Sequence, residues 1–215
     1  MKITVLNSSV DHPINAWLSD WKAKHENTHE IEIVRSKSEL SGGELLFLIS
    51  CVEIIGAQDR AKYAKTLVIH ASDLPLGRGW SPHVWQVVNG ETEVTVTLLE
   101  AEDKVDSGDI WQKLKIHVPP TALYDEINQR IFQAEVDLMD YAVNSFPAIE
   151  PKPQDSSIEP TYWPKRSPED SELDTSKSID DLFNLIRVCD PNRFPAYFIK
   201  GGRKYVLKLE ADNDR

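Results

Sequence analysis

Cysteine is scarce in this chain, which has only Cys51 and Cys189 among its 215 residues. Two cysteines do not build the disulfide framework of a small secreted domain, so the sequence favours a reducing, cytoplasmic setting. The short apolar stretch within residues 1–7 is followed by polar residues, so it lacks the long apolar core of a signal peptide. No apolar segment has the length needed to cross a bilayer, and we therefore expect no membrane partner.

Positive charge is also in short supply. The 24 Lys and Arg residues are outnumbered by 35 Asp and Glu residues, and the formal net charge is -11. The basic residues form no run that could follow a phosphate backbone, and an acidic protein repels nucleic acid unless it has such a patch. The sequence therefore predicts no nucleic-acid partner.

The common metal-binding and nucleotide-binding motifs are missing. The cysteines form no CxxC pair, and five histidines are scattered without ligand spacing, namely His12, His25, His29, His83 and His117. The glycine pairs at 42–43 and 201–202 belong to neither a GxGxxG fingerprint nor a P-loop. Ser50 and Cys51 follow an apolar run without a GxSxG elbow, and we interpret them as small buried residues. We expect no metal site.

Short apolar runs alternate with helical patterns along most of the chain. Strand patterns cover residues 2–6, 30–34, 45–49, 66–69, 93–99 and 110–118, and amphipathic helical patterns begin near residues 14, 82 and 121. Strands that alternate with helices at this pace predict an α/β fold with a parallel sheet and crossover helices. Ligands of such folds bind beyond the carboxyl ends of the strands, where His70 lies.

The composition changes near residue 148. From there to about residue 178 the chain is rich in Pro, Ser, Glu, Asp and Lys, which is typical of an extended linker or a wrapping arm. A helical pattern over 179–188 follows, and two strand patterns around Gly201-Gly202 predict a β-hairpin. We expect a main domain over residues 1–148, and an arm, a short helix and a C-terminal hairpin over residues 149–215.

Two polar loops hold the groups that could do chemistry. The loop after the fourth strand pattern combines an imidazole, a hydroxyl, a carboxylate and a guanidinium, from His70, Ser72, Asp73 and Arg78. A second loop, residues 105–110, can bring Asp106 beside His70. A carboxylate against an imidazole fixes its tautomer and raises its basicity, as general acid-base catalysis requires. The structural alternative is a satisfied histidine at a strand end and aspartates that form turns beside glycine.

The order of these fragments resembles the N10-formyltetrahydrofolate-dependent formyltransferases. The similarity runs through His70 to Pro75, Arg78 to Pro82, Trp85, Asn89-Gly90, residues 94–98 and Asp106 to Ile110. The family pattern is an Asn-x-His-x-Ser-x-Leu-Pro stretch, an Arg-Gly followed by a Pro, and an Asp-x-Gly-Asp turn. The resemblance implies a Rossmann-like sheet with flanking helices, and N10-formyltetrahydrofolate as the co-substrate.

The resemblance also assigns roles to individual residues. It implies that His70 and Asp106 are catalytic, and Ser72 is a further catalytic candidate in the same loop. It implies that the folate pocket is lined by Ser72, Asp73, Leu74, Pro75, Arg78 and Gly79. An unprotonated amine would attack the formyl carbon and expel tetrahydrofolate, while His70, held by Asp106, handles the proton and helps to stabilise the oxyanion. This chemistry requires no metal.

One position departs from the family pattern. The catalytic Asn stands two residues before the His, where this chain has Val68. Loss of a donor to the formyl oxygen costs about a hundredfold or more in rate. Either Ser72, a backbone amide or another loop supplies the donor, or the protein is a non-catalytic module that binds folate or a nucleotide sugar. The presence of both His70 and Asp106 favours an enzyme.

The acceptor is expected to be the amine of a nucleotide-linked amino sugar. Residues 161–170 and 194–198 resemble tail segments of the sugar N-formyltransferases, and the branch suggests a 4-amino-deoxyhexose of a surface glycan or a sugar of the pseudaminic-acid pathway. A methionyl-tRNA formyltransferase is expected to carry a basic C-terminal barrel, and glycinamide ribonucleotide formyltransferases read His-Pro-Ser in the loop. These two acceptors remain the alternatives.

Three residues are candidates for binding that acceptor, namely Trp80, Trp163 and Arg166. An aromatic ring can stack on a nucleobase, and a guanidinium can pair with a phosphate. The alternative is that the arm packs on the surface of the main domain. The aromatic pair Tyr197 and Phe198 in the hairpin also suggests a homodimer interface.

Overall fold

The computed structural model describes residues 1–212. Its strands are β1 Lys2–Leu6, β2 Glu30–Val34, β3 Gly43–Leu48, β4 Tyr63–His70, β5 Arg78–Gly79, β6 Glu93–Glu100, β7 Ile110–His117, β8 Tyr162–Trp163, β9 Ala196–Lys200 and β10 Arg203–Leu207. Its α-helices are α1 Ile14–His25, α2 Ala57–Arg60, α3 Pro82–Val88, α4 Tyr124–Ser145 and α5 Ile179–Val188. The expected α/β class is confirmed.

The central sheet has six strands in the order β2-β1-β3-β4-β6-β7. The first four of these, β2, β1, β3 and β4, run parallel to one another, whereas β6 is antiparallel to both β4 and β7. The expectation of a parallel sheet is therefore wrong at one edge. Residues 101–109, between β6 and β7, are too few for a parallel crossover that includes a helix, so that pair has to be antiparallel.

The main apolar core lies between the sheet and the helices α1 and α4. Ile3, Val5, Leu45 and Phe47 point into it from β1 and β3, and Trp21 of α1 is almost completely buried there. The indole N–H of Trp21 donates to Asp140 of α4 at 2.7 Å, so the two helices share a polar contact at the rim of the core. Burial of each large apolar side chain contributes about 1.5–3 kcal/mol to stability.

The C-terminal part follows the predicted order of arm, helix and hairpin. Residues 148–178 are mostly extended and run back over the main domain, where β8 pairs in parallel with β5 and Lys152 bridges to Ile110. Ser178 caps α5 by accepting from the amide of Asp181. The strands β9 and β10 form an antiparallel hairpin around Gly201-Gly202. The domain boundary at residue 148 stays a prediction.

No helix in residues 1–212 combines the length and the hydrophobicity that a membrane crossing needs. The longest of them, α4, carries charged residues along one side and buries the other against the sheet.

Candidate active site

His70 is the last residue of β4 and points into a closed environment. Its side chain lies beside the edge where β4 meets β6, opposite Thr97, and the residue is only 6% exposed. Nε2 is 2.8 Å from the carbonyl oxygen of Gly77. A carbonyl oxygen only accepts, so Nε2 carries a hydrogen and Nδ1 is the nitrogen left to exchange a proton.

Asp106 lies next to that nitrogen. Its Oδ2 is 3.6 Å from His70 Nδ1, and both side chains are 7% exposed. The carboxylate also accepts a hydrogen bond from the amide of Gly79 at 2.9 Å. Asp106 has a φ of 54°, a left-handed conformation that few residues other than glycine, asparagine and aspartate adopt. The turn between β6 and β7 thus brings Asp106 to His70, as the sequence predicts.

The segment from His70 to Gly79 is fixed by hydrogen bonds along its length. Four of its carbonyl groups accept hydrogen bonds from side chains. Gln86 donates to the carbonyl of Ala71, Thr97 to that of Ser72, Lys113 to that of Leu74 and His70 to that of Gly77. Each donor belongs to the main domain, so the loop takes its shape from the sheet and from α3. The result is a preorganised frame around the His70 ring.

The residues expected in the folate pocket differ in their exposure to solvent. Ser72 is 2% exposed, and its Oγ has no hydrogen-bond partner among the described residues. Leu74 and Pro75 are buried, whereas Asp73 is exposed and pairs with Lys113 at 2.6 Å. Ser72 is therefore a buried hydroxyl with unused hydrogen-bonding capacity in the His70 loop.

Arg78 and Gly79 meet the arm. The guanidinium of Arg78 donates to Gln154 Oε1 at 2.6 Å, and its Nε has no partner among the described residues. The amide of Arg78 donates to the carbonyl of Thr161 at 2.9 Å, and the amide of Gly77 donates to the Thr161 hydroxyl at 2.8 Å. The arm therefore forms one wall of the candidate site.

The three residues expected to bind the acceptor lie where the arm meets the main domain, Trp80 on the main domain and Trp163 and Arg166 on the arm. Trp163 stacks on Trp85 with ring centroids 6.0 Å apart and an interplanar angle of 14°. Trp80 is 41% exposed, and the ammonium group of Lys165 lies 4.8 Å from its ring centroid. Exposed aromatic surface is therefore present beside the loop that carries His70.

Arg166 is engaged within the arm. Its guanidinium donates to the carbonyl of Asp170 at 3.0 Å and to the Ser171 hydroxyl at 3.2 Å, and it lies 5.7 Å from the Trp85 ring. A guanidinium has five N–H donors, so these two bonds leave others for a ligand. Packing of the arm and binding of an acceptor are thus compatible at this residue.

Two histidines that the sequence treats as scattered belong to the same region. Burial, followed by the charges of His12, His70 and Arg166, lowers the pKa of His83 to about 4. Burial, followed by the charge of Arg193, lowers the pKa of His12 to about 4. Both rings are neutral at pH 7. The sequence offers one signal that His83 lies near the site, which is its position directly after Pro82 of the family pattern. It offers none for His12.

Ser50 and His12 form a contact that resembles a nucleophile and its base. Ser50 Oγ is 3.3 Å from His12 Nε2, and Ser50 has a φ of 47°. However, His12 Nδ1 accepts from the amide of Ile14 at 3.2 Å, so Nε2 carries the hydrogen and cannot take one from the serine. Ser50 is exposed and Cys51 half-buried, and the expectation that both are buried is wrong because the chain turns outward after β3.

Val68 lies two residues before His70 on the same face of β4. Its side chain packs against an apolar cluster that includes Leu6, Leu46 and Leu48. No polar donor can come from this position. Among residues 1–212, no group of three or more His, Cys, Asp or Glu side chains is arranged to hold a metal ion.

Comparison with known proteins places this geometry in a family. The formyl transferase family model matches residues 4–143. A methionyl-tRNA formyltransferase of Streptococcus pyogenes serotype M6 is 32% identical over 147 residues, which are 66% of this chain and 46% of the relative. The chain thus spans about half the length of the curated relatives it matches.

Two solved structures share the fold over the whole chain. A methionyl-tRNA formyltransferase from Clostridium thermocellum superposes with a TM-score of 0.84 and 21% identity, covering 100% of this chain and 95% of that one. A sugar N-formyltransferase from a Shewanella species gives a TM-score of 0.75 and 18% identity, covering 100% and 99%. The family model matches well over half of the sequence, and its match includes both His70 and Asp106. The chain belongs to the formyl transferase family.

Proposed function

We propose that this protein transfers a formyl group from N10-formyltetrahydrofolate to an amine. The observation that carries the proposal is the buried pair of His70 Nδ1 and Asp106 Oδ2, 3.6 Å apart at the carboxyl end of a central strand. The family uses N10-formyltetrahydrofolate as its formyl donor. That compound supplies a formyl group attached to a nitrogen that leaves readily.

His70 and Asp106 have complementary roles in this proposal. The attacking amine loses a proton as its nitrogen bonds to the formyl carbon, and N10 gains a proton as its own bond to that carbon breaks. His70 Nδ1 is the nitrogen that can accept the first proton and return it to N10. A proton taken up there is held between the ring and the Asp106 carboxylate. The bond from Nε2 to Gly77 prevents the ring from turning, so the nitrogen and the carboxylate stay opposed. General acid-base catalysis of this kind contributes about 10²–10⁴-fold in rate.

Ser72 is our candidate for the hydrogen-bond donor that Val68 does not provide. Its hydroxyl is buried without a partner in the loop that carries His70, and a buried hydroxyl without a partner costs about 1–3 kcal/mol. Such a group gains most when a ligand supplies an acceptor. We therefore propose that Ser72 donates to the formyl oxygen, and that the loop from Ser72 to Gly79 holds the folate.

The proposed acceptor is a nucleotide-linked amino sugar. The exposed Trp80 and the stacked Trp163 offer aromatic surface for a base, and Arg166 keeps free N–H groups for a phosphate. The net charge of -11 opposes the binding of a large polyanion such as transfer RNA.

A methionyl-tRNA acceptor is the second candidate. The 32% identity to a methionyl-tRNA formyltransferase favours it. Glycinamide ribonucleotide and a purely binding role stay further alternatives, the latter because of Val68. Formyl transfer should be measured with N10-formyltetrahydrofolate against UDP- and dTDP-linked amino sugars, charged methionyl-tRNA and glycinamide ribonucleotide. Transfer to a sugar nucleotide alone supports the proposal, and transfer to methionyl-tRNA alone rejects the sugar acceptor.

The role of Ser72 has its own test. We expect Ser72→Ala to lower kcat by about 10²–10³-fold, which is the usual cost of losing a donor to a developing oxyanion. Ser156→Ala is the matched control, because Ser156 is exposed in the arm. If Ser72→Ala keeps the kcat of the wild type, Ser72 is not the donor to the formyl oxygen.

A further inference from the structure

Gln154 of the arm reaches the turn that carries Asp106. Its side-chain Nε2 donates to the carbonyl of Asp106 at 2.9 Å and to the carbonyl of Gly108 at 3.0 Å. Its Oε1 accepts from the guanidinium of Arg78 at 2.6 Å. One amide group thus joins the β6–β7 turn to the loop that follows β4.

The contact falls where the turn is strained. Asp106 has a φ of 54°, and a non-glycine residue in such a conformation costs about 1 kcal/mol or more. The strain has to be offset by interactions of the same turn. The two hydrogen bonds from Gln154 hold the carbonyl groups of Asp106 and Gly108, on either side of Ser107, and therefore stabilise this backbone conformation.

The conformation decides where the carboxylate points. From the left-handed turn, Asp106 directs its Oδ2 toward Gly79 N–H and His70 Nδ1. A right-handed backbone at the same residue would turn the side chain away from both. Gln154 therefore acts on the backbone of Asp106, whereas Gly79 acts on its side chain.

Arg78 fixes the other end of the Gln154 amide. Its backbone amide is held by Thr161, and the hydroxyl of Tyr162 lies 3.4 Å from its guanidinium. Arg78 is 5% exposed, so the polar groups around it are shielded from water. With Oε1 committed to Arg78, the amide nitrogen faces the two carbonyls, and the alternative flip of the amide is disfavoured.

We infer that Gln154 is a positioning residue, which holds Asp106 in the geometry that pairs it with His70. The inference rests on the proposed function for its kinetic consequences. It assigns the arm a direct part in forming the catalytic pair, in addition to any contact with an acceptor.

The variant Gln154→Glu keeps the acceptor for Arg78 and removes the donor to the carbonyls of Asp106 and Gly108. A carboxylate still accepts from Arg78 but cannot donate, and it places negative charge against the carbonyls of Asp106 and Gly108. We expect kcat to fall at least about tenfold, because small misplacements of catalytic groups are costly. Gln58→Glu, an exposed residue of α2, is the control for the added charge.

A double-mutant cycle distinguishes positioning from a general loss of structure. If Gln154 acts through the Asp106 carboxylate, Gln154→Glu should change kcat by less than about twofold in an Asp106→Asn background. Full loss of kcat in both backgrounds would overturn the inference, since the effect would then not pass through Asp106. A Gln154→Glu protein with wild-type kcat would overturn it as well.

The amide proton of Gly79 provides a readout without activity. In the wild type it donates to Asp106 Oδ2, and in a ¹⁵N-resolved NMR spectrum it should move upfield in both Asp106→Asn and Gln154→Glu, but not in Gln58→Glu. An unchanged Gly79 resonance in Gln154→Glu contradicts the inference. If the wild type shows no formyl transfer but the resonance moves, the proposed function fails and the placement of Asp106 by Gln154 stands.

Discussion

Asp106 combines a charge and an unusual backbone conformation, and the two can be separated. Asparagine tolerates the left-handed region, so Asp106→Asn should keep the free energy of unfolding within about 1 kcal/mol of the wild type. It removes the negative charge beside His70 Nδ1, and we expect kcat/KM for formyl transfer to fall about a hundredfold or more. Urea unfolding and steady-state kinetics measure the two effects.

Asp109→Asn is the matched control, since Asp109 belongs to the same turn but is exposed. Equal losses of activity in the two variants would show that the charge of Asp106 has no special role.

Glu135 on α4 makes stability depend on pH. Burial raises its pKa to about 8, and its Oε2 has no hydrogen-bond partner among the described residues. The folded state keeps the proton up to about pH 8, while the unfolded chain releases it near the ordinary glutamate pKa. The folded state therefore binds more protons in that window, and the free energy of unfolding falls as pH rises through it.

The prediction is tested with Glu135→Gln, which cannot ionise. At pH 8 the variant should be more stable than the wild type by on the order of 2–4 kcal/mol, and near pH 4.5 the two should be similar. Asp137→Asn, an exposed position on the same helix, should leave the pH dependence in place. The measurement is urea unfolding between pH 4.5 and 8, and parallel profiles for wild type and Glu135→Gln would contradict the account.

At this scale the sequence predicted that His70 and Asp106 lie together, and the structure brings them within 3.6 Å, while their roles stay predictions. His70 and Asp106 could be paired because both lie in polar loops next to strand ends. Gln154 could not be identified, because an isolated glutamine in a Pro-rich segment carries no signal until the arm is placed. The neutral state of His83 likewise depends on burial that no local pattern reveals.

Among the larger elements, the contact between the His70 loop and the arm depends on Gly77. This glycine has a φ of 70°, and a Cβ atom there would lie 2.7 Å from Trp163 Nε1 and 3.1 Å from Ser72 Cβ. Gly77→Ala should therefore add a steric clash to the cost of the backbone conformation, and we expect a loss of about 2–4 kcal/mol in the free energy of unfolding.

Gly201 supplies the comparison for that variant. Its φ is 60°, but nothing lies within 4 Å of an added Cβ, so Gly201→Ala should cost only about 1 kcal/mol. Thermal or urea unfolding of both variants measures the difference. Equal costs would mean that the arm does not press on Gly77.

The elements themselves followed from the sequence, but their directions did not. Residues 93–99, for example, are predicted to form a strand because polar and apolar side chains alternate there. The short connection of residues 101–109 already requires β6 and β7 to be antiparallel. The direction of β6 beside β4 could not be distinguished, because β6 is buried on both faces and such a strand looks the same in either direction. The pairing of β5 with β8 was hidden because it involves two residues on each side and only backbone hydrogen bonds.

For the whole molecule, the family could be recognised from the order of its motifs and the acceptor could not. His70 follows one strand pattern and Asp106 lies between two others, which predicts that the loop and the turn meet beyond the ends of the strands. The proposed acceptor site joins Trp80 of the main domain with Trp163 and Arg166 of the arm, which are far apart in sequence.

The central claim is that the His70–Asp106 pair is used for formyl transfer. The most direct measurement compares the wild type with His70→Ala for the formylation of an amino-sugar nucleotide by N10-formyltetrahydrofolate, detected by mass spectrometry of the product. We predict a formylated product with the wild type and a rate at least about 10²-fold lower with His70→Ala. Equal rates for the two proteins would contradict the claim.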